Sequence, residues 1–170
     1  DSVASRGLGD VYKRQPLTLV YIDDVINQFA ALLDGADLIV DSEGFATVMP
    51  QYSATVGELA ELIRRFSISR RTLVTDRVGT HFLRALYSTY VSYLPPDSFS
   101  YTLPMFTDAR GTFTEMLKTS DSGQFSFFTV HLGATRGGHY HHTKTEKFLV
   151  VKGNALFKFR HIQTGETHAI

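Results

Sequence analysis

Gly133-Ala134-Thr135-Arg136-Gly137-Gly138-His139-Tyr140-His141-His142-Thr143-Lys144-Thr145-Glu146-Lys147-Phe148-Leu149-Val150-Val151-Lys152-Gly153 is the stretch on which the reading of this chain turns. His139 and His141 stand two apart, so on an extended backbone both imidazoles leave the same face. Glu146 opens the next apolar alternating run, and pairing that run with the histidine segment brings its carboxylate against the two rings. Two nitrogens and one oxygen with an open position suit zinc, iron, manganese or nickel. The plain alternative is a histidine-rich surface hairpin that binds nothing. His142 belongs to the opposite face and is left out of the cluster.

Around this stretch the hydrophobic period is two. Thr112 to Lys118, Gln124 to Leu132, Glu146 to Val151 and Ala155 to His161 read as strands, with Gly153-Asn154 and Thr164-Gly165 as hairpin turns. Antiparallel β structure is therefore expected beyond Pro96. Upstream the pattern is mixed. Leu17 to Ile22 reads as a strand, followed by a helix carrying Val25, Phe29, Leu32 and Leu33 and stopping at Gly35. Ala46 to Met49 is a candidate strand. Thr55-Val56-Gly57-Glu58 is a capping-box pattern opening a helix with Leu59, Leu62, Ile63 and Phe66 on one face. A further helix is expected from Thr80 to Tyr93, with Phe82, Leu83, Leu86, Tyr87 and Tyr90 inward, ended by Pro95-Pro96. The change of period sets three segments: 1–15, small, polar and basic, expected to be non-native or disordered; 16–94, mixed α/β; and 95–170, all β.

Composition bounds the function. The 170 residues are 43% hydrophobic and 20% charged with zero formal net charge, which describes a globular chain and disfavours a partner gripped through phosphate neutralisation, so no nucleic acid is expected. With no cysteine, disulfides and thiolate metal sites are excluded, and any metal must sit on His, Asp or Glu. No run approaches the roughly 18 to 20 apolar residues of a membrane span. A cytoplasmic protein without membrane association is the expectation.

The spacing Gly133-x5-His139-x-His141-x4-Glu146-x6-Gly153 resembles the first motif of the cupin superfamily. Together with Thr135 to Phe148 and the upstream Asp108-Ala109-Arg110-Gly111-Thr112-Phe113-Thr114-Glu115, it is similar to the bifunctional capsular polysaccharide enzymes in which an extended short-chain dehydrogenase precedes a C-terminal cupin. Leu17-Thr18-Leu19-Val20-Tyr21-Ile22-Asp23-Asp24-Val25 and Leu86-Tyr87-Ser88-Thr89-Tyr90 extend the resemblance over 16–170. It implies a fold in which an α/β remnant of the dehydrogenase at 16–94 is followed at 95–170 by an incomplete all-β cupin, or jelly-roll, barrel.

For function the resemblance implies nucleotide-sugar biosynthesis for capsule or O-antigen. The cupin would epimerise the carbon beside the ketone of a UDP-4-keto-6-deoxy-HexNAc, and the dehydrogenase would then reduce that ketone with NADPH. His139, His141 and Glu146 become ligands of a divalent metal, zinc by this resemblance. Lys144 is a candidate acid/base group, and Arg110, Phe113, Glu115 and Arg136 are candidate substrate contacts. Both arginines suit a pyrophosphate because a guanidinium pairs bidentately with phosphate oxygens, and either serves equally well as a surface ion-pair partner. A homodimer is implied for the full-length protein.

Departures from the family pattern matter as much. The further histidine that such cupins take from a second motif falls beyond Ile170, no Gly-x-x-Gly-x-x-Gly loop is present, and the dehydrogenase-like stretch 16–94 has no Tyr-x-x-x-Lys pair, Tyr90 being followed by Leu94, so no cofactor-binding residue is assigned. The chain is expected to be truncated at both ends and inactive by itself. The Arg136-Gly137-Gly138-His139-Tyr140 run also resembles the metal-free dTDP-4-dehydrorhamnose 3,5-epimerases, in which the matching histidine is the base. A metal-bound imidazole accepts a proton poorly, so the two roles for His139 compete, and His141 with Glu146 favours the ligand. An iron-dependent cupin oxygenase and a non-catalytic sugar-binding cupin offer the same ligand pattern.

Overall fold

A computed structural model describes residues 12–37 and 39–170. Residues 1–11 of the expected non-native segment lie outside the described residues. The chain divides by compactness into two units, one ending at Thr129 and the other Val130–Ile170. That division falls later than the change of hydrophobic period near 95, because the first strands of the β region pair within the first unit.

In the first unit, β1 (Pro16–Val20) pairs antiparallel with β2 (Gln51–Thr55), Leu17 opposite Ala54 and Leu19 opposite Tyr52. Between them α1 spans Ile22–Leu33. Its apolar stripe is present as expected, yet none of its residues is buried; Phe29 is 64% and Leu33 89% exposed. The strand expected at Ala46–Met49 is displaced. Only Ala46 makes an isolated bridge, to Val40, and the ladder forms at β2.

α2 (Val56–Thr72) starts where its capping box predicts. The Glu58 amide donates to Thr55 Oγ1 at 3.2 Å, and the Thr55 amide donates to Glu58 Oε2 at 2.7 Å, so two otherwise orphaned donors are satisfied reciprocally. These bonds to Thr55, the backbone one foremost, hold the Glu58 carboxyl below its ordinary pKa. α3 follows at His81–Ser92. Phe66, 1% exposed, is the anchor of the small core, its ring edge-on to Tyr87 at 5.1 Å and tilted on Tyr90 at 5.7 Å. Aromatic pairs in this geometry add to what burial alone contributes.

After a 3-10 turn at Pro96–Ser98, β4 (Phe106–Asp108) and β5 (Gly111–Thr119) form a tight hairpin, and β6 (Gln124–Phe128) pairs antiparallel with β5. The other edge of β5 takes β3 (Val74–Thr75) in a two-residue parallel seam. Gly111 is required here: its φ is +133°, and a Cβ would stand 2.2 Å from the Thr129 carbonyl oxygen.

In the second unit regular structure is sparse. β7 (Lys158–Arg160) pairs antiparallel with β8 (Thr167–Ala169) across the Thr164-Gly165 turn. The expected strand Glu146–Val151 makes no ladder among the described residues, and Ala155–His161 is a paired strand only over β7. No closed barrel forms among the described residues. Alternation fixes which face each side chain takes, but a strand also needs a neighbour to bond its amides and carbonyls, and among the described residues no strand pairs with Glu146–Val151, although the Phe148 ring lies 5.3 Å from that of Phe157. Gly153 has the positive φ, +87°, that the motif's turn demands, without a hairpin being paired around it. No described helix is long and apolar enough to cross a membrane.

Candidate metal centre

The histidine segment is extended and its side chains alternate. His139 and His141 bring their ring centroids to 5.0 Å on one side, while Tyr140 and His142 pair at 5.1 Å in the other set. Two glycines precede it: Gly137 and Gly138 both have positive φ, which turns the chain into the segment. Glu146 returns to the first set. One ligand atom each from His139, His141 and Glu146 lie within 4.8 Å of one another.

That spread can be weighed against a metal's own geometry. Donors about 2.0–2.1 Å from a tetrahedral zinc stand roughly 3.4 Å apart. His141 Nε2 and Glu146 Oε1, at 3.6 Å, are close to that separation already, and the full trio needs a contraction that side-chain rotation supplies. Both side chains are about one-third exposed, 33% for His141 and 30% for Glu146, so an ion from solvent has access. The donor set and its convergence fit a divalent cation.

Lys144 shares the site. Its Nζ lies 2.8 Å from the same Glu146 Oε1 that faces His141. The Lys144 hydrogen bond is the main reason the Glu146 carboxyl is held below its ordinary pKa, partial burial opposing it and the charges of Lys144, His141 and His139 assisting. The sequence carried a signal for this contact: Lys144 and Glu146 are two apart and, like the two histidines, share a face of extended chain.

The candidate substrate contacts are placed differently. Arg110, in the β4–β5 turn, is clasped by Asp108, whose Oδ2 accepts from Nε at 3.0 Å and from a terminal guanidinium nitrogen at 2.5 Å. Asp108 raises the arginine's pKa further through that bond. Phe113 lies on β5 between Phe106 and Phe128 in the strand register. Glu115 accepts from the Gln124 side chain and pairs with Lys118 at 2.9 Å, beside a register shift in β5. These three belong to the first unit. Arg136, half-buried, belongs to the second with the histidines. Asp108 and Gln124 were not singled out by sequence reasoning; an acidic residue two before an arginine in a turn is the signal that would have found the first. His168, exposed, lies on β8 with Glu166 3.3 Å away.

Residues 106–170 match the family profile of the polysaccharide biosynthesis C-terminal domain. The chain is 60% identical over 154 residues to a UDP-2-acetamido-2,6-beta-L-arabino-hexul-4-ose reductase of Pseudomonas aeruginosa, covering 91% of this chain and 41% of that protein. Among solved structures it is similar to the capsular polysaccharide assembling protein CapF of Staphylococcus aureus, with a TM-score of 0.82 and 40% identity over 93% of this chain and 42% of that one. It is likewise similar to CapF crystallised with the inhibitor 3-isopropenyl-tropolone, with a TM-score of 0.84, 40% identity, and coverage of 93% and 45%. The chain thus spans about two fifths of the length of the curated relative it matches, and nearly all of it resembles part of the capsular polysaccharide assembling protein CapF.

Proposed function

We propose that this chain serves nucleotide-sugar biosynthesis for capsule or O-antigen in the cytoplasm, as part of an enzyme whose cupin portion epimerises the carbon beside the ketone of a UDP-4-keto-6-deoxy-HexNAc. A short-chain dehydrogenase portion, to which 16–94 belongs in this reading, completes the work by reducing that ketone with NADPH, and the enzyme acts as a homodimer. The observation that carries the reading is the convergence of His139, His141 and Glu146 inside the stretch that matches the polysaccharide biosynthesis domain. The relative's name supports the substrate class, since a hexul-4-ose bears the ketone that acidifies the neighbouring C–H. The CapF inhibitor supports the metal, since a tropolone carries adjacent oxygen donors that chelate divalent cations.

Inverting a carbon next to a ketone requires removal of its proton, stabilisation of the charge that moves to the oxygen, and return of a proton to the opposite face. His139, His141 and Glu146 would hold a zinc ion, which would supply Lewis acidity toward that oxygen. Lys144, beside Glu146, is the proton-carrying group in reach of the site. Arg136 is the guanidinium of the same unit suited to the pyrophosphate, while Arg110 offers the same chemistry once Asp108 releases it. Phe113 and Glu115 are further candidate substrate contacts, on the first unit.

The test is isotopic. The full-length protein carrying this cluster, given the 4-keto sugar nucleotide in heavy water without NADPH, is expected to incorporate deuterium at the carbon beside the ketone in a zinc-dependent manner. Zinc bound without exchange sinks the epimerase reading and favours a sugar-binding cupin; iron bound with oxygen consumption favours an oxygenase.

A further inference from the structure

Resting on the metal reading above, we propose that Lys144 is the resident counter-cation of the site, and that a divalent ion enters by displacing its ammonium from Glu146 Oε1. One carboxylate oxygen faces two groups here, Lys144 Nζ at 2.8 Å and His141 Nε2 at 3.6 Å. The His141 separation is close to that of two donors on one ion, so an ion bridging them would bind the same carboxylate oxygen that the ammonium now solvates. A second positive charge at hydrogen-bond distance from that oxygen would also repel the ion directly.

The exchange is physically shallow. Lys144 is 49% exposed and sits on a flexible four-carbon stem, so its ammonium returns to water readily, and an ion pair this exposed is worth little. The divalent ion gains three donors at once, two of them imidazoles that offer nothing to an ammonium while unprotonated. Two consequences follow. Without metal, Lys144 solvates the carboxylate oxygen that faces His141; with metal, the same ammonium is set free beside the site, where an anionic substrate group can take it. Metal loading and delivery of Lys144 are one event.

Zinc affinity, measured by chelator competition on the chain and on two variants, tests this. Lys144→Gln, which removes the competing charge, should bind zinc on the order of fivefold more tightly than the parent. Lys144→Arg, which keeps it, should stay within about twofold of the parent. Independently of any variant, the Lys144 ε-methylene NMR signal should move on zinc addition toward its position in Glu146→Gln. Zinc bound by the parent with no gain in Lys144→Gln, or with a stationary Lys144 signal, overturns the exchange and leaves the metal centre standing. Absence of zinc binding by the parent and by both variants overturns the metal reading, and this inference with it.

Discussion

The described residues up to Thr129 hold their side chains through ladders, caps and a small aromatic core, whereas Val130–Ile170 brings three ligand groups together with a single three-residue hairpin as its regular structure. The contrast follows from the range of the interactions. Phe66 meets Tyr87 and Tyr90 only if two helices pack, and β3 meets β5 only after the chain has travelled through α3. His139, His141 and Glu146 lie within eight consecutive residues, so extended backbone and one change of direction suffice to gather them. A site written in short spacing forms with little scaffold; a core does not.

Three substitutions would break or sharpen this contrast. The largest effect is expected for Phe66→Ala, which should cost about 4 kcal/mol of the first unit's stability in urea unfolding, because the ring is fully enclosed and its aromatic partners are lost with it. His141→Ala should come next, weakening zinc binding by on the order of 100-fold, or about 2.7 kcal/mol, in the chelator-competition measurement, while leaving the helical signal of the first unit in place. The smallest is Thr55→Ala, expected to cost about 1 kcal/mol by removing the cap of α2.

The last variant also carries a pH signature. Because the Glu58 carboxyl is lowered in the folded state by its bonds to Thr55, its contribution is fully present above the ordinary glutamate range and fades as the pH falls through that range to the lowered value. Removing the Thr55 side chain deletes one of those bonds, so the acid slope of stability between those two points should flatten; an unchanged slope in acid titration of the unfolding free energy would assign the cap no electrostatic part.

The same distinction of range explains what could be read from the sequence. The Thr55–Glu58 box gave the start of α2 to the residue, and the alternation of Thr112 to Lys118 marked β5, because both signals are local. The convergence of His139, His141 and Glu146 was legible for the same reason. The shift of a strand from Ala46–Met49 to Gln51–Thr55 was not, since the pairing with β1 chose the register. Glu146–Val151 has strand alternation without a ladder, because alternation names a face and says nothing of a neighbour. β3 is too short, at two residues, to show any period at all. α1 showed its stripe correctly, but whether a stripe is covered depends on what lies opposite.

The parallel seam of Val74–Thr75 with Lys118–Thr119 gives the Pro95-Pro96 stretch a different character from the one its composition suggests. A proline pair between two composition regimes reads as a tether. Fastened at both ends to adjacent strands, it is instead part of a closed circuit running out through α3 and back through the β4–β5 hairpin. Load carried along that circuit reaches the seam as shear across parallel hydrogen bonds rather than as peeling from one end. The join between the helical part and the β region is therefore a clasp.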